Sequence, residues 1–252
     1  MKIPLGVLSW FQQLRVFRLA RILISPLEKR ILEELECLPN IEELWMPVGR
    51  GDGLNKLSES TKLQSCLYNL SSVALDDEYE QYEKPLLSLG SVSGLKKLQE
   101  IDLYKIIIEY PFMLEACCLA KLRMVKIFRC QVTHMTWLKY APILQRLIVY
   151  GCESMEEVIK EEEAIKDENV NSSLVFSSLV ELILVELPKL ESIHRAPLPF
   201  PSLKSVVIFD CPKMEKLPFD FNSAKHKLTL IQGQQNWWDS LKWDDPTAKH
   251  KF

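Results

Sequence analysis

No apolar run in this 252-residue chain approaches the roughly 18 residues that a membrane-crossing helix needs, and its start lacks a signal peptide's long apolar core and small-residue cleavage site. The expectation is a soluble, cytoplasmic protein. An excess of positive charge is also missing. The net charge is −3, which sets nucleic acid aside as the main partner, because phosphate contacts draw on a surplus of Lys and Arg. None of the four histidines, His134, His194, His226 and His250, stands in a metal-ligand spacing such as HExxH. The seven cysteines are odd in number and contain no CxxC, so neither disulfides nor zinc are expected. Cys117 and Cys118 have no base near them in sequence. Without a nucleophile and base or a metal constellation, the chain reads as a non-enzyme that uses no cofactor.

What is abundant is apolar side chain, 47% of the residues, laid out with a repeating spacing. The stretch Phe200-Pro201-Ser202-Leu203-Lys204-Ser205-Val206-Val207-Ile208-Phe209-Asp210-Cys211 shows it as Φ-x-x-L-x-x-Φ-x-Φ-x-x-C, with Φ apolar. Steps of three suit a tight turn, and the single step of two is the side-chain period of a strand. This is the leucine-rich-repeat signature. The same skeleton is read at Leu8, Phe11, Leu14 and Val16, at Leu38, Ile41, Leu44 and Met46, at Leu67, Leu70, Val73 and Leu75, and at Leu95, Leu98, Ile101 and Leu103. Fuller copies follow at Leu119, Leu122, Val125, Ile127 and Cys130, at Ala141, Leu144, Leu147, Val149 and Cys152, and at Phe176, Leu179, Leu182, Leu184 and Leu187. Counted on the second apolar position, the steps are 30, 29, 28, 24, 22, 35 and 24 residues, most of them near the lengths of this repeat class.

One repeat cannot bury its own leucines, so neighbours stack and share a core. The fold expected is an α/β leucine-rich-repeat solenoid of about eight repeats, with a curved parallel sheet on the concave face and irregular turns and short helices on the convex face. Leu27, Ile31, Leu35 and Leu38 recur at helical spacing, and Pro47 to Gly53 reads as a loop. Residues 1–26 form a basic segment with a degenerate first repeat, 27–218 the repeats, and 219–252 a C-terminal cap. In the cap, Leu228 to Ile231 supply a last strand, and Trp237, Trp238 and Trp243 cover the open end of the core. The long step holds an acidic insertion, 153–171, to which Met155, Val158, Ile159 and Ile165 give a weakly amphipathic helix. Cys130, Cys152 and Cys211 occupy one place in three repeats, where the chain leaves the strand, and are expected to point inward.

Side chains that flank each strand's apolar pair face away from the core. The position after the pair gives Phe17, Pro47, Asp76, Tyr104, Phe128, Tyr150, Val185 and Phe209. The position between gives Arg15, Trp45, Ala74, Asp102, Lys126, Ile148, Ile183 and Val207. A contiguous exposed apolar stripe marks a contact surface. Tyr104, Phe128, Ile148, Tyr150, Val207 and Phe209 are the protein-binding candidates on the concave face; mutual packing of the aromatics is the structural alternative. Residues 1–30 carry six basic side chains against Glu28 alone, so Arg15, Arg18 and Arg21 are candidates for contact with an acidic partner domain.

Several stretches carry a more specific likeness: Ala141-Pro142-Ile143-Leu144, Gly151-Cys152-Glu153-Ser154-Met155-Glu156-Glu157-Val158-Ile159, Leu187-Pro188-Lys189-Leu190-Glu191-Ser192-Ile193, Pro197-Leu198-Pro199-Phe200-Pro201-Ser202-Leu203, Cys211-Pro212-Lys213-Met214-Glu215-Lys216-Leu217-Pro218, and the tail Trp237-Trp238-Asp239-x-Leu241-x-Trp243-Asp244. Together they resemble the C-terminal leucine-rich repeats of plant coiled-coil nucleotide-binding disease-resistance proteins. The resemblance implies immune reception: the repeats sense a pathogen effector or a guarded host protein and fold back on the receptor's nucleotide-binding domain. It also implies that the inward cysteines bond loop backbone. The chain has no GxxxxGK[ST] phosphate loop and no coiled-coil heptads, so it reads as a repeat region apart from those modules, with no nucleotide to bind. A repeat adaptor of another system, such as a ubiquitin-ligase substrate receptor, and a non-signalling gene fragment are the other readings.

Overall fold

The computed structural model describes residues 4, 6–19, 29–47, 52–71, 86–88, 94–109, 119–160, 175–194, 198–217 and 227–242. The chain divides into two compact units, Met1–Leu122 and Arg123–Phe252.

The first unit runs β1 (Val16–Arg18), α1 (Lys29–Cys37), β2 (Glu43–Pro47), α2 (Asp52–Glu59), α3 (Thr61–Cys66), β3 (Leu67–Ser71), β4 (Leu86–Ser88), β5 (Glu100–Tyr104) and β6 (Ile107–Glu109). Strands β1, β2, β3 and β5 lie side by side in a parallel sheet, and β4 pairs with β6, also in parallel. The helical spacing read around residue 31 becomes α1, which buries Ile31, Leu32 and Leu35. Its Glu36 ties three helices together. The carboxylate meets Lys56 of α2 at 2.6 Å and accepts the Ser60 hydroxyl at 2.5 Å, while the Ser60 oxygen accepts the Leu63 amide as the N-cap of α3. Lys56, then Ser60, hold the Glu36 carboxyl below its usual range. The loop read from Pro47 to Gly53 gives way to α2 at Asp52.

Two frames in this unit differ from the spacing. The first repeat is not Leu8, Phe11, Leu14 and Val16, but Phe11, Leu14, Phe17 and Leu19. The Leu14 amide closes a turn on the Phe11 carbonyl as Leu122 does on Leu119, and Phe17 is in register with Leu44 of the core. Phe17 therefore belongs to the core row, and Arg15 precedes the strand. In the third repeat the strand is β3, with Leu67 and Leu70 buried and a register shift against β2, and Val73 and Leu75 lie outside the described residues. Ala74 and Asp76 lie outside the described residues. Apolar residues at steps of three allow several frames, four of them in the first repeat (Leu8, Phe11, Leu14, Phe17) and three in the third (Leu67, Leu70, Val73), and pairing with β2 selects one.

The second unit contains β7 (Met124–Phe128), β8 (Arg146–Tyr150), β9 (Glu181–Val185), β10 (Ser205–Phe209) and β11 (Leu230–Gly233), parallel neighbours in that order. Here the frames are as read. Val125 and Ile127, Leu147 and Val149, Leu182 and Leu184, and Val206 and Ile208 are all fully buried, and the strands alternate these with half-buried side chains and, at Arg146, an exposed one. Each coil also clamps its predecessor. The amides of Gln145 and Arg146 share the Arg123 carbonyl, Val180 and Glu181 share that of Gln145, Lys204 and Ser205 that of Val180, and Thr229 and Leu230 that of Lys204.

Residues 153–160, read as the start of an insertion, belong to the repeat instead. Met155, Val158 and Ile159 are buried, and no helix forms there. Glu156 donates to the Thr133 carbonyl, Glu191 to that of Glu156, Met135 to that of Val158, and Ile159 to that of Ile193. These bonds make a short second ladder beyond the sheet. Ile165 lies outside the described residues.

Left-handed backbone recurs just past the strands, at Lys105 (φ 50°), Arg129 (φ 51°), Gly151 (φ 65°), Glu186 (φ 54°) and Asp210 (φ 52°). The turn lets the chain leave the strand while its amide still reaches the neighbouring coil, as Arg129 does to the Tyr150 carbonyl at 2.7 Å and Gly151 to Val185 at 2.9 Å. For an L side chain this region costs about 1–2 kcal/mol. Gly151→Ala is therefore expected to destabilise the second unit by roughly that amount, the more so because the added Cβ would sit 3.0 Å from Arg129 Cγ. Arg129→Gly should shift stability the opposite way, and a urea unfolding midpoint for each variant checks both signs.

Past β11, α4 (Gln235–Ser240) brings Trp237 into the core, with its indole N–H donating to the Met214 carbonyl at 2.9 Å. Trp243 lies outside the described residues.

Candidate protein-binding face

In the second unit the side chains between the core rows face away from the core. Strand register places Lys126, Ile148, Ile183, Val207 and Gln232 in one row and Phe128, Tyr150, Val185 and Phe209 in the next. Neighbouring parallel strands lie about 4.8 Å apart, so each row is a near-continuous strip. Ile148, Ile183, Val207 and the whole second row are half-buried. The Phe128 and Tyr150 rings are 6.3 Å apart and tilted by 41°, a contact that leaves ring surface to solvent.

Polar groups border the strip on both sides. At the strand starts Arg146 Nε meets Glu181 at 2.6 Å. At the exits the Tyr150 hydroxyl donates to the Glu186 carboxylate, and Gln234 Nε2 donates to Asp210 at 2.5 Å. The bond to Glu186 is the first cause that raises the Tyr150 pKa, with burial adding to it and Arg129 opposing it. The phenol therefore stays a donor at neutral pH, and its ring is held by its tip.

Of the six candidates, Phe128, Ile148, Tyr150, Val207 and Phe209 are brought onto this one face. Tyr104 is half-buried on β5 of the first unit, where Lys105 Nζ lies 5.5 Å from its ring centre. Ile183 and Val185 were passed over, yet they fill the gap between Ile148 and Val207 and between Tyr150 and Phe209. Their signal was the Leu182-x-Leu184 step itself.

Two of the basic candidates, Arg15 and Arg18, are engaged in their own unit. Arg15 meets Glu42 in a two-point pair at 3.0 and 2.8 Å, and Arg18 meets Glu43 at 3.0 Å. The Arg18 guanidinium also lies 5.2 Å from the Trp45 ring centre, Trp45 stacks on Tyr68 at 5.7 Å, and Lys97 closes the series 5.8 Å from Tyr68. Arg21 lies outside the described residues. Asp102, read as outward, is buried.

The three repeat cysteines point inward. Cys130, Cys152 and Cys211 donate to the carbonyls of Phe128, Tyr150 and Phe209 at 3.5, 3.6 and 3.3 Å. Burial pushes the Cys211 thiol up to about 11, so it stays protonated. Among the described residues no group of three or more His, Cys, Asp or Glu could hold a metal, and no helix is long and apolar enough to cross a membrane.

Residues 89–231 match the family model described as plant disease resistance protein RPS2-like, leucine-rich repeats. The chain is 30% identical over 254 residues to the probable disease resistance protein At5g47260 of Arabidopsis thaliana, an alignment covering 98% of this chain and 26% of that protein. It is 33% identical over 229 residues to the probable disease resistance protein At1g12290 of the same plant, covering 88% of this chain and 25% of the relative. To disease resistance protein UNI of Arabidopsis thaliana it is 29% identical over 265 residues, covering 97% and 28%. The chain thus spans about a quarter of the length of these relatives.

Proposed function

The chain belongs to the leucine-rich-repeat family of RPS2-like plant disease resistance proteins, and from that premise we propose that it is a protein-recognition module of plant innate immunity. It works by binding, without catalysis and in the cytoplasm. Its outward face in the second unit takes a pathogen effector or a guarded host protein, and the basic start of the chain contacts the nucleotide-binding domain of a receptor. The observation that carries this reading is the pair of aligned half-buried rows from Phe128 to Phe209 and from Ile148 to Val207, on a sheet whose core is already closed by its other face. Aromatic side chains with ring surface left to solvent and a polar border supply binding energy out of proportion to their area.

The test is recovery of partners from plant extract on the immobilised chain, against a Phe128→Asp, Tyr150→Asp variant checked for intact fold. Carboxylates inside the strip should cost roughly 2 kcal/mol or more, about thirtyfold in affinity. Equal recovery of the same partners by both proteins would remove the face from consideration. A parallel measurement with Arg15, Arg18 and Arg21 changed to Glu is expected to weaken binding to an isolated nucleotide-binding domain and to leave the extract partners in place.

A further inference from the structure

The outward strip of the second unit limits what kind of chain can lie on it. Strands β8, β9 and β10 each pair on both sides, so their main-chain groups are taken up in the sheet and a partner meets side chains. An extended segment laid over the strip would bury its own amides and carbonyls without partners, at roughly 1–3 kcal/mol for each. A helix satisfies them within itself. The dimensions agree. From Phe128 to Phe209 the strip crosses three strand spacings, about 14 Å, and its two rows stand two residues apart, about 6.6 Å. Three turns of helix, about ten residues, cover that length, and a helix about 10–12 Å across covers both rows and reaches the polar borders. A second sheet packs through the inner faces of whole strands, whereas this strip is only two rows wide.

The two borders differ in charge. Where the chain enters β7 to β10, Arg123, Arg146 and Lys204 are exposed beside a single carboxylate, Glu181. Where it leaves them, Glu186 and Asp210 are exposed beside a single cation, Arg129. The strip thus runs between a basic and an acidic edge. We infer that it takes an amphipathic helix of about three turns, laid across the strands with its apolar stripe on the two rows. Carboxylates line the helix flank towards Arg123, Arg146 and Lys204, and cations line the flank towards Glu186 and Asp210. The inference rests on the recognition role proposed above and specifies which element of the partner is recognised.

The probes are two displayed libraries of peptides of about 15 residues, selected on the immobilised full chain. In the first, Leu is fixed at helical spacing and the flanking positions vary among Glu, Lys, Gln and Ser. The second has the same composition with Pro at two central positions, which forbids a helix. The first library is expected to enrich, with Glu on one flank and Lys on the other, and its peptides should lose at least about tenfold in affinity for the Phe128→Asp, Tyr150→Asp variant. Against Arg123→Glu with Lys204→Glu, two exposed positions outside the strip, the same peptides should weaken by about tenfold and recover when their Glu flank is changed to Lys. Enrichment of the Pro library instead, flanks without segregated charge, or absence of that recovery overturns the helix and leaves the recognition face standing. Enrichment from neither library overturns it too. The recognition reading fails separately, when partners from plant extract no longer depend on Phe128 and Tyr150.

Discussion

Trp237→Ala is expected to lower the stability of the second unit by about 3–5 kcal/mol, the range for emptying a fully packed aromatic site. The indole is 6% exposed and bonds the Met214 carbonyl, and it occupies the space beneath Gly233. A Cβ at Gly233 would lie 2.6 Å from the Trp237 ring and 2.8 Å from the Ile208 carbonyl. In register, Gly233 stands beside Ile208 of the core row, so β11 gives up its own core side chain and takes the indole from α4 in exchange. Gly233→Val should therefore destabilise the same segment through overlap instead of a void, by roughly 1–3 kcal/mol or more. Trp237→Phe separates the terms, since it keeps most of the volume and loses one hydrogen bond worth roughly 1 kcal/mol. Urea unfolding combined with exchange at β10 and β11 reads all three. If Trp237→Ala left both unchanged, the tryptophan would not be closing this end.

Phe200→Ala is the second large loss. Phe200 is completely buried and stacks on Phe176 with ring centres 5.6 Å apart and planes within 14°. The two rings are the first apolar positions of consecutive coils, so the cavity opens between coils and weakens their interface as well as one turn. A cost of about 3–5 kcal/mol is expected, with a further coupling of roughly 0.5–1.5 kcal/mol between the rings in a double-mutant cycle with Phe176→Ala. Neighbour coupling in a stacked array predicts that exchange accelerates most in β9 and β10. Uniform acceleration across the unit would show that it unfolds as one block.

The second unit could be read residue by residue because Cys130, Cys152, Leu187 and Cys211 sit three residues past each strand's apolar pair. A turn that must dive back into the core admits an apolar or sulfur side chain there, and that requirement fixes the frame. In the first unit Ile106, fully buried, marks β5 in the same way and the frame there is as read, whereas the first repeat is ambiguous. Leu8, Phe11, Leu14 and Phe17 stand at equal steps of three, Leu14-x-Val16 and Phe17-x-Leu19 are equally good strand steps, and pairing with β2 decides between them. The assignment of residues 153–160 to an insertion, which ran on to 171 outside the described residues, is corrected for a different reason. Charge drew attention away from Cys152, Met155 and Val158, which repeat the spacing of Leu187, Leu190 and Ile193 and of Cys211, Met214 and Leu217. Five of the six face candidates were legible because alternation alone orients a strand whose frame is known. The polar border was not, since the pairing of Arg146 with Glu181 or Tyr150 with Glu186 spans more than thirty residues and depends on register.

The left-handed residues after the strands bear on how such a surface can diversify. Lys105, Arg129, Glu186 and Asp210 hold a conformation that glycine would adopt with less strain, yet they differ from one another in charge and length. The link to the next coil is made there by the main chain, from Arg129 to Tyr150 and from Glu186 to Phe209. In the second unit this places Arg129, Glu186 and Asp210, of different charge, at one height beside the apolar strip, where Glu186 also holds Tyr150 and Asp210 holds Gln234. Such a column gives the outward face of the second unit a charge pattern of its own on a frame set by the main chain.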